Sequence, residues 1–342
     1  MTKRAGAKPG TFPVRQTDDG LHLANSILWL DSNDSGDLSF LSSAASLQAT
    51  PQPKVPQVIA TEETIKILET YRSKPNALVC QYNRPFSIGR LKMELLPSGC
   101  VLGGASLYVE TDKGRLLYAP QLQTQRVPTV RQMQLKKAQT LIIGASHPDP
   151  TLAMPNRKRE KERLMEVVHK YVAKGLYPAI ICDQVATAQE LTKLICDEGL
   201  PLAVHDTIFR INNVYETYGS KLGTYTRYSK KYTRQKVTIF PSPRQRTQKL
   251  RASSLPADAP ILLVEATSES SPGSAQPAFT NVTERFHIGS TCDGPEFREI
   301  VALVNPKELY IFGPYAKAYV EEFKGLCPVV KPLFVNDQPT LF

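Results

Sequence analysis

The segment Pro97-Ser-Gly-Cys-Val-Leu-Gly-Gly-Ala105 places three glycines between two apolar runs, at residues 91–96 and 106–110. The glycine spacing is not Gly-x-Gly-x-x-Gly, so the segment lacks the fingerprint of a dinucleotide-binding turn. Glycine has no Cβ and allows two backbones to approach closely. We therefore predict a tight bend between two strands at this point.

Strand signals surround this bend on both sides. Short strands are predicted at residues 21–30, 37–41 and 77–82, with a helix at 61–71 whose start Thr61 would cap. A hairpin is predicted from residues 106–110 and 115–118, and an apolar strand follows at 140–143. The first part of the chain therefore reads as mainly β.

The pattern changes after residue 156. Predicted helices at 157–172, 186–198 and 206–218 alternate with predicted strands at 179–182, 202–204, 237–240 and 261–264. His205 follows one of these strands, and we expect it to anchor the start of the next helix. The chain closes with helix 295–304, strand 308–312, helix 315–325 and strand 329–334. Strand–helix alternation of this kind indicates a parallel sheet covered by helices.

The net charge of +10 is concentrated in one place. Residues 221–251 contain ten Lys or Arg and no Asp or Glu, which leaves 32 basic and 32 acidic residues in the rest of the chain. Lys and Arg neutralise phosphates and release counterions, so nucleic acid is the partner that this charge favours. The run at 157–163 also contains acids, and we interpret it as a solvated helix face.

Aromatic residues alternate with this positive charge, and bases can stack on aromatic rings. A helix with a packed tyrosine stripe and a solvated basic back is the competing interpretation, because the three tyrosines share one helical spacing. The predicted nucleic-acid contacts are Tyr225, Arg227, Tyr228, Lys230, Lys231, Tyr232, Arg234, Arg244 and Arg246.

The six cysteines are dispersed, which suits a reducing cytoplasm better than a disulfide framework. No run of 18 apolar residues occurs, so we expect no membrane contact. The first fifteen residues are polar and basic and are predicted to form a flexible tail.

Six phrases, in order, resemble the metallo-β-lactamase fold in the branch that carries a β-CASP insert. They are the strand and turn at 37–48, the glycine-rich segment at 97–105, Arg115-Leu-Leu-Tyr-Ala-Pro-Gln121, Thr140-Leu-Ile-Ile-Gly-Ala-Ser146, Gly289-Ser-Thr-Cys-Asp293 and Tyr310-Ile-Phe-Gly313. Residues 200–219 and 239–243 resemble the insert itself. The subgroup that they resemble comprises bacterial ligase-associated DNA exonucleases and messenger-RNA 3′-end processing factors.

The resemblance implies an α/β protein: an αββα sandwich with an inserted parallel α/β domain. The implied domains are a discontinuous sandwich at 16–160 plus 285–342 and an insert at 161–284. It also implies where active relatives hold two zinc ions. Those positions here are Ser43, Ala45, Leu47, Gln48, Cys100, Gln121, Gly144, Thr291 and Phe312.

A dinuclear zinc site needs imidazole and carboxylate ligands and an open position for water. Alanine, leucine, glycine and phenylalanine side chains supply no such ligand. We therefore expect no metal or other cofactor, and a non-catalytic nucleic-acid-binding protein that accompanies an active nuclease or a ligase-associated partner. Two alternatives stay open: a hydrolase rebuilt around Cys100, His147 and Cys292, and a protein-interaction scaffold.

Overall fold

The computed structural model describes residues 14–17, 20–32, 37–45, 57–71, 74–111, 114–229, 235–242, 259–265 and 282–333. Three sheets and six helices lie in these ranges, so the predicted α/β class is confirmed. The first strand begins at Val14, inside the segment predicted to be a flexible tail.

Sheet 1 has six strands in sequential order: β1 (Val14–Thr17), β2 (Gly20–Leu23), β3 (Leu28–Leu30), β4 (Leu38–Phe40), β5 (Gln57–Ala60) and β6 (Ala77–Val79). Helix α1 (Glu62–Glu69) follows β5, and the Thr61 side chain accepts from the Thr64 amide as its N-cap. Acidic residues in the first turn complement the helix dipole.

Sheet 2 has seven strands in the order β19-β18-β11-β10-β9-β8-β7. Its antiparallel side contains β7 (Phe86–Ile88), β8 (Leu91–Pro97), β9 (Ala105–Thr111) and β10 (Gly114–Ala119). Its parallel side adds β11 (Thr140–Gly144), β18 (Glu308–Phe312) and β19 (Val329–Pro332), so chain segments far apart in sequence complete one sheet.

The two sheets pack face to face, with helices on the outer faces. Successive side chains of β5 point to opposite faces of sheet 1. Ile59 lies in the core between the two sheets, whereas Val58 and Ala60 pack on the side of α1. The outer face of sheet 2 is covered by α5 (Gly294–Val304) and α6 (Ala316–Glu322) through residues such as Phe297 and Tyr319. The order of layers is helix, sheet, sheet, helix.

Sheet 3 is wholly parallel, in the order β14-β13-β15-β12-β16-β17. Its strands are β12 (Ala179–Cys182), β13 (Leu202–Val204), β14 (Thr226–Arg227), β15 (Val237–Pro241), β16 (Ile261–Glu265) and β17 (Glu284–His287). Helices α2 (Arg157–Val172), α3 (Thr187–Asp197) and α4 (Asp206–Thr217) contribute to the core on one of its faces. The predicted parallel sheet is confirmed.

Candidate functional site

A strand-end junction lies where the glycine-rich segment meets both sheets of the sandwich. The Gly103 carbonyl accepts hydrogen bonds from the hydroxyls of Thr61 and Thr64, at 2.7 and 2.9 Å. Gly103 has a φ of +79°, and a Cβ there would lie 2.5 Å from the Thr64 amide nitrogen. The predicted close backbone approach is therefore confirmed, and only glycine suits this position.

Backbone contacts connect several of the positions that the resemblance implies as ligands to this junction. The Ala105 amide donates to Ser42 O at 2.8 Å, which places Ser43 beside the glycine-rich segment. The Cys292 amide donates to Leu122 O at 2.7 Å, and this brings Thr291 to Gln121. Gly144 and Phe312 are register partners in the β11–β18 pair. The junction comprises Ser43, Ala45, Cys100, Gln121, Gly144, Thr291 and Phe312; Leu47 and Gln48 lie outside the described residues.

Several side chains of the junction are committed to packing. The Phe312 ring stacks on Tyr118 with centroids 5.8 Å apart, and the Tyr118 hydroxyl donates to Asp31 Oδ2 at 2.8 Å. Ala45 packs against the apolar cluster that also contains Cys100. Across the described part of the chain, no three His, Cys, Asp or Glu side chains are grouped as a metal site would require.

Gly144 occupies the position where the resemblance implies an acidic residue. A Cβ at this position would lie 2.4 Å from Pro120 O and 3.5 Å from the Phe312 ring. Pro120 O belongs to the backbone and cannot move as a flexible side chain would. Any side chain at residue 144 would therefore clash with the backbone through its Cβ.

The thiols of the junction are poor nucleophiles. Burial raises the pKa of the Cys100 thiol to about 12, and Cys100 Sγ donates to Ser98 O at 3.7 Å. Burial also raises the pKa of Cys292 well above its usual value, and the nearby Cys100 adds to the shift. A nucleophilic cysteine needs the opposite shift, since the thiolate is the reactive species.

His147 lies beside Thr291 and is buried. Its Nε2 is 3.4 Å from Thr291 Oγ1, while its Nδ1 has no partner among the described residues. Burial lowers the pKa of His147, and a hydrogen bond with the Thr291 backbone and the nearby Asp293 and Glu296 oppose that shift only in part. The imidazole is therefore neutral near pH 7.

The buried neutral His147 predicts a loss of stability in acid. Its pKa is lower in the folded protein than in the unfolded chain, so the unfolded chain binds more protons below about pH 6.5. The contribution is fully present above that pH and is lost as the pH falls towards the folded-state pKa, by at most about 1.4 kcal/mol per pH unit. Urea unfolding of wild type and His147→Asn between pH 7 and 5 should show a smaller decline for the variant.

His205 provides the comparison for this measurement. Burial lowers its pKa too, and its Nδ1 caps α4 by accepting from the Thr207 amide, as its place before a helix predicted. Asparagine also caps helices well, so His205→Asn should flatten the pH dependence in the same direction. An unchanged pH dependence in the double variant would contradict both assignments.

Asp293 is an acidic residue within the phrase at 289–293, and its role in the structure is to cap a helix. Its side chain accepts from the Glu296 and Met154 amides, at 3.0 and 2.8 Å, and the Glu296 carboxylate accepts from the Asp293 amide at 3.1 Å. These bonds form a capping box at the start of α5.

The basic segment is only partly described. Lys230, Lys231, Tyr232, Arg234, Arg244 and Arg246 lie outside the described residues. Tyr225 and Tyr228 do not sit on a helix, because the chain between them forms the short strand β14. The Tyr225 ring contacts Phe209 and the Tyr228 ring contacts Phe240, at centroid distances of 5.9 and 4.8 Å.

The interpretation that the tyrosines form a stripe on one helix is therefore wrong for Tyr225 and Tyr228. The part of that interpretation in which their rings pack against the protein is correct. Both rings are half-buried, and extended backbone carries them to different apolar clusters. Arg227 is exposed and pairs with Asp206, which also pairs with Arg210. Its contact with nucleic acid remains a prediction.

The interpretation of the 157–163 run as a solvated face is wrong at Arg157, which is buried. The side chains of Arg157 and Glu190 are 6% and 7% exposed, and Arg157 Nη2 lies 2.5 Å from Glu190 Oε2. Lys161 Nζ lies 3.0 Å from Glu190 Oε1. This buried ionic cluster joins α2 to α3, and Arg157 is close enough to lower the pKa of Cys100 slightly.

Tyr215 joins α4 to the glycine-rich segment. Its hydroxyl accepts from the Leu102 amide at 3.1 Å, across a buried cluster that contains Val101, Ile211 and Leu222. The apolar spacing of α4 could have indicated that Tyr215 is buried, but its partner in the glycine-rich segment was not visible in the sequence.

Comparisons with known proteins add two findings. The chain is similar to a solved structure of a protein of unknown function from Enterococcus faecalis V583, with a TM-score of 0.58, 13% identity, and coverage of 87% of this chain and 79% of that one. It is 22% identical over 228 residues to a probable DNA ligase from Opitutus terrae, a match that covers 65% of this chain and 22% of the relative.

The likeness to the solved structure shows a shared fold and nothing about activity. The chain spans only about a fifth of the length of the ligase that it matches. No family model matches the chain. None of the described helices is both long and apolar enough to cross a membrane.

Proposed function

We propose that this chain is a nucleic-acid-binding protein with the architecture of a metallo-β-lactamase and β-CASP hydrolase but without its metal chemistry. In this proposal it acts as an accessory or partner subunit beside an active nuclease or ligase. The layered sandwich with an added parallel sheet supports the architecture, and the similarity to a probable DNA ligase supports a role connected with nucleic acid.

The observation that carries the proposal is the composition of the strand-end junction. The positions that the resemblance implies as ligands include Ala45, Gly144 and Phe312, whose side chains have no donor atom for a metal. A zinc centre supplies both the activated hydroxide and the Lewis acid. Loss of its ligands therefore removes both contributions together, while the surrounding scaffold can still bind a substrate-like strand.

The rebuilt-hydrolase alternative gains no support from the junction. A Cys–His nucleophilic pair requires a thiolate held by a nearby base. Burial opposes ionisation of both Cys100 and Cys292, and His147 Nε2 lies beside the Thr291 hydroxyl. The alternative of a protein-interaction scaffold predicts that the protein does not bind oligonucleotides, and the binding experiment tests this.

Binding to labelled oligonucleotides tests the proposal directly. Wild type should bind single-stranded DNA or RNA, with an affinity that falls steeply with salt because counterions are released. Lys230→Glu plus Lys231→Glu should weaken binding and reduce the magnitude of the salt slope by about 1.4, or about 0.7 for each lost contact with a single strand. Lys170→Glu plus Lys174→Glu makes the same charge change and serves as the control. Both lysines are exposed; Lys170 lies in α2 and Lys174 lies just after it.

Two results would contradict the proposal. Absence of binding at low salt would favour the scaffold alternative. Stoichiometric zinc in the purified protein, together with cleavage that Cys100→Ala abolishes, would favour a hydrolase instead.

A further inference from the structure

A second acid-free stretch lies between Asp112 and Asp149. It contains no Asp or Glu and six basic residues: Lys113, Arg115, Arg126, Arg131, Lys136 and Lys137. Acidic residues elsewhere in the chain offset these six positive charges, so the net charge of the protein does not reveal this stretch. Its middle part, residues 121–139, is a described loop without helix or strand.

This loop is held across the strand-end junction. The Gln123 amide donates to Ser98 O at 3.0 Å, and the Gln134 amide donates to Pro97 O at 3.0 Å. Gln123 Nε2 donates to Gly289 O at 3.2 Å. The loop is thus fixed both to the glycine-rich segment and to the strand end that precedes Thr291.

Four exposed cations lie on this loop or next to its contacts. The Arg131 guanidinium lies 5.4 Å from the centroid of Tyr82, and Arg84 follows Tyr82 by two residues. The Ser220 hydroxyl donates to Thr129 O at 2.8 Å, and Lys221 follows Ser220. We call this set the basic rim; its members are Arg84, Arg126, Arg131 and Lys221.

The basic rim has charge available for a ligand. Within the described residues, no ion pair to an acid is found for any of its four members. By contrast, Arg115 and Lys136 of the same stretch pair with Glu110 and Glu94. Exposed cations without an acidic partner attract a polyanion without first breaking an ion pair.

The Ser220–Thr129 contact also joins the two acid-free stretches of the chain. Lys221 is the first residue of the basic segment at 221–251, and its neighbour bonds to the loop of the other stretch. The positive charge of the junction loop therefore lies close to Lys221, where the basic segment begins. A ligand with regularly repeated negative charge matches such a track better than a single anion does.

We infer that the basic rim is a second nucleic-acid contact, which guides the phosphate backbone of a single strand over the strand-end junction towards the basic segment. The inference rests on the proposed function. Exposed glutamines on the same loop, such as Gln132 and Gln134, add uncharged hydrogen-bonding groups beside the phosphates.

The test compares Arg126→Glu plus Arg131→Glu with wild type, using single-stranded oligonucleotides of roughly 6 and roughly 20 nucleotides, lengths that one binding module does and does not span. Two lost phosphate contacts should weaken binding of the longer strand by roughly 25-fold at 0.1 M salt and reduce the salt slope by about 1.4. Lys170→Glu plus Lys174→Glu should leave both quantities near wild type. Arg126→Gln plus Arg131→Gln, which adds no negative charge, should act in the same direction.

The outcomes separate the inference from the proposed function. If wild type binds the longer strand and the rim reversal leaves affinity and salt slope unchanged, the rim inference is overturned and the proposed function stands. If wild type binds no oligonucleotide, both fail. If polyglutamate binds with the same dependence on Arg126 and Arg131 while oligonucleotides do not, the partner is an acidic polypeptide and both fail.

Discussion

Glu190→Leu is expected to lower the free energy of unfolding by about 3–5 kcal/mol, because it leaves the buried Arg157 guanidinium without its carboxylate. Arg157 Nη1 already lacks a partner among the described residues, so no second acceptor is in place to compensate. Denaturant-induced unfolding monitored by circular dichroism measures the loss.

The relative losses in the free energy of unfolding among related variants test this explanation. Arg157→Met should cost less than Glu190→Leu, because Lys161 still pairs with the remaining carboxylate. The double variant should recover much of the loss, since apolar residues of similar size can replace a buried ion pair. Lys158→Met removes an ion pair whose partners are 85% and 57% exposed, and it should cost well under about 1 kcal/mol. Equal losses for Glu190→Leu and Lys158→Met would contradict the burial argument.

Most helices and strands could be predicted because local patterns determine them. The helix at Glu62–Glu69 has a Thr cap, an acidic first turn and a spaced apolar face, and all three signals lie within a few residues. The strand Gln57–Ala60 was missed because it is short and follows a proline-rich stretch. Its place between β4 and β6 depends on pairing, which a single segment does not encode.

The junction could be predicted only in part. Its glycines signal close backbone approach, but the meeting of residues near 43, 100, 144 and 291 depends on contacts between distant segments. The resemblance between ordered phrases supplied that expectation, which composition and spacing alone could not. The sequence predicts a solvated Arg157 because mixed charges on a helix usually face water, whereas its burial depends on Glu190 from another helix.

Gly144→Asp, which restores the acid implied by the resemblance, is expected to destabilise the protein by about 3 kcal/mol or more without creating a metal site. Gly144 lies in β11 and its φ is outside the left-handed region, so any residue could adopt its backbone conformation. The cost comes from contact, since the new Cβ would lie 2.4 Å from Pro120 O, and overpacking alone costs about 1–3 kcal/mol. Desolvation of the new carboxylate adds to this loss.

Two comparisons isolate the contact with Pro120. Gly144→Ala should lose about 1–3 kcal/mol, and adding Phe312→Leu should not restore that loss, because the ring lies 3.5 Å away while the backbone carbonyl makes the closer contact. Gly89→Ala tests backbone strain without contact, since Gly89 has a φ of +58° and open space around its Cβ position, and should cost about 1 kcal/mol. The argument for a closed centre would fail if Gly144→Ala were as stable as wild type, or if Gly144→Asp bound zinc. Either result would show that the junction has room for a side chain at residue 144.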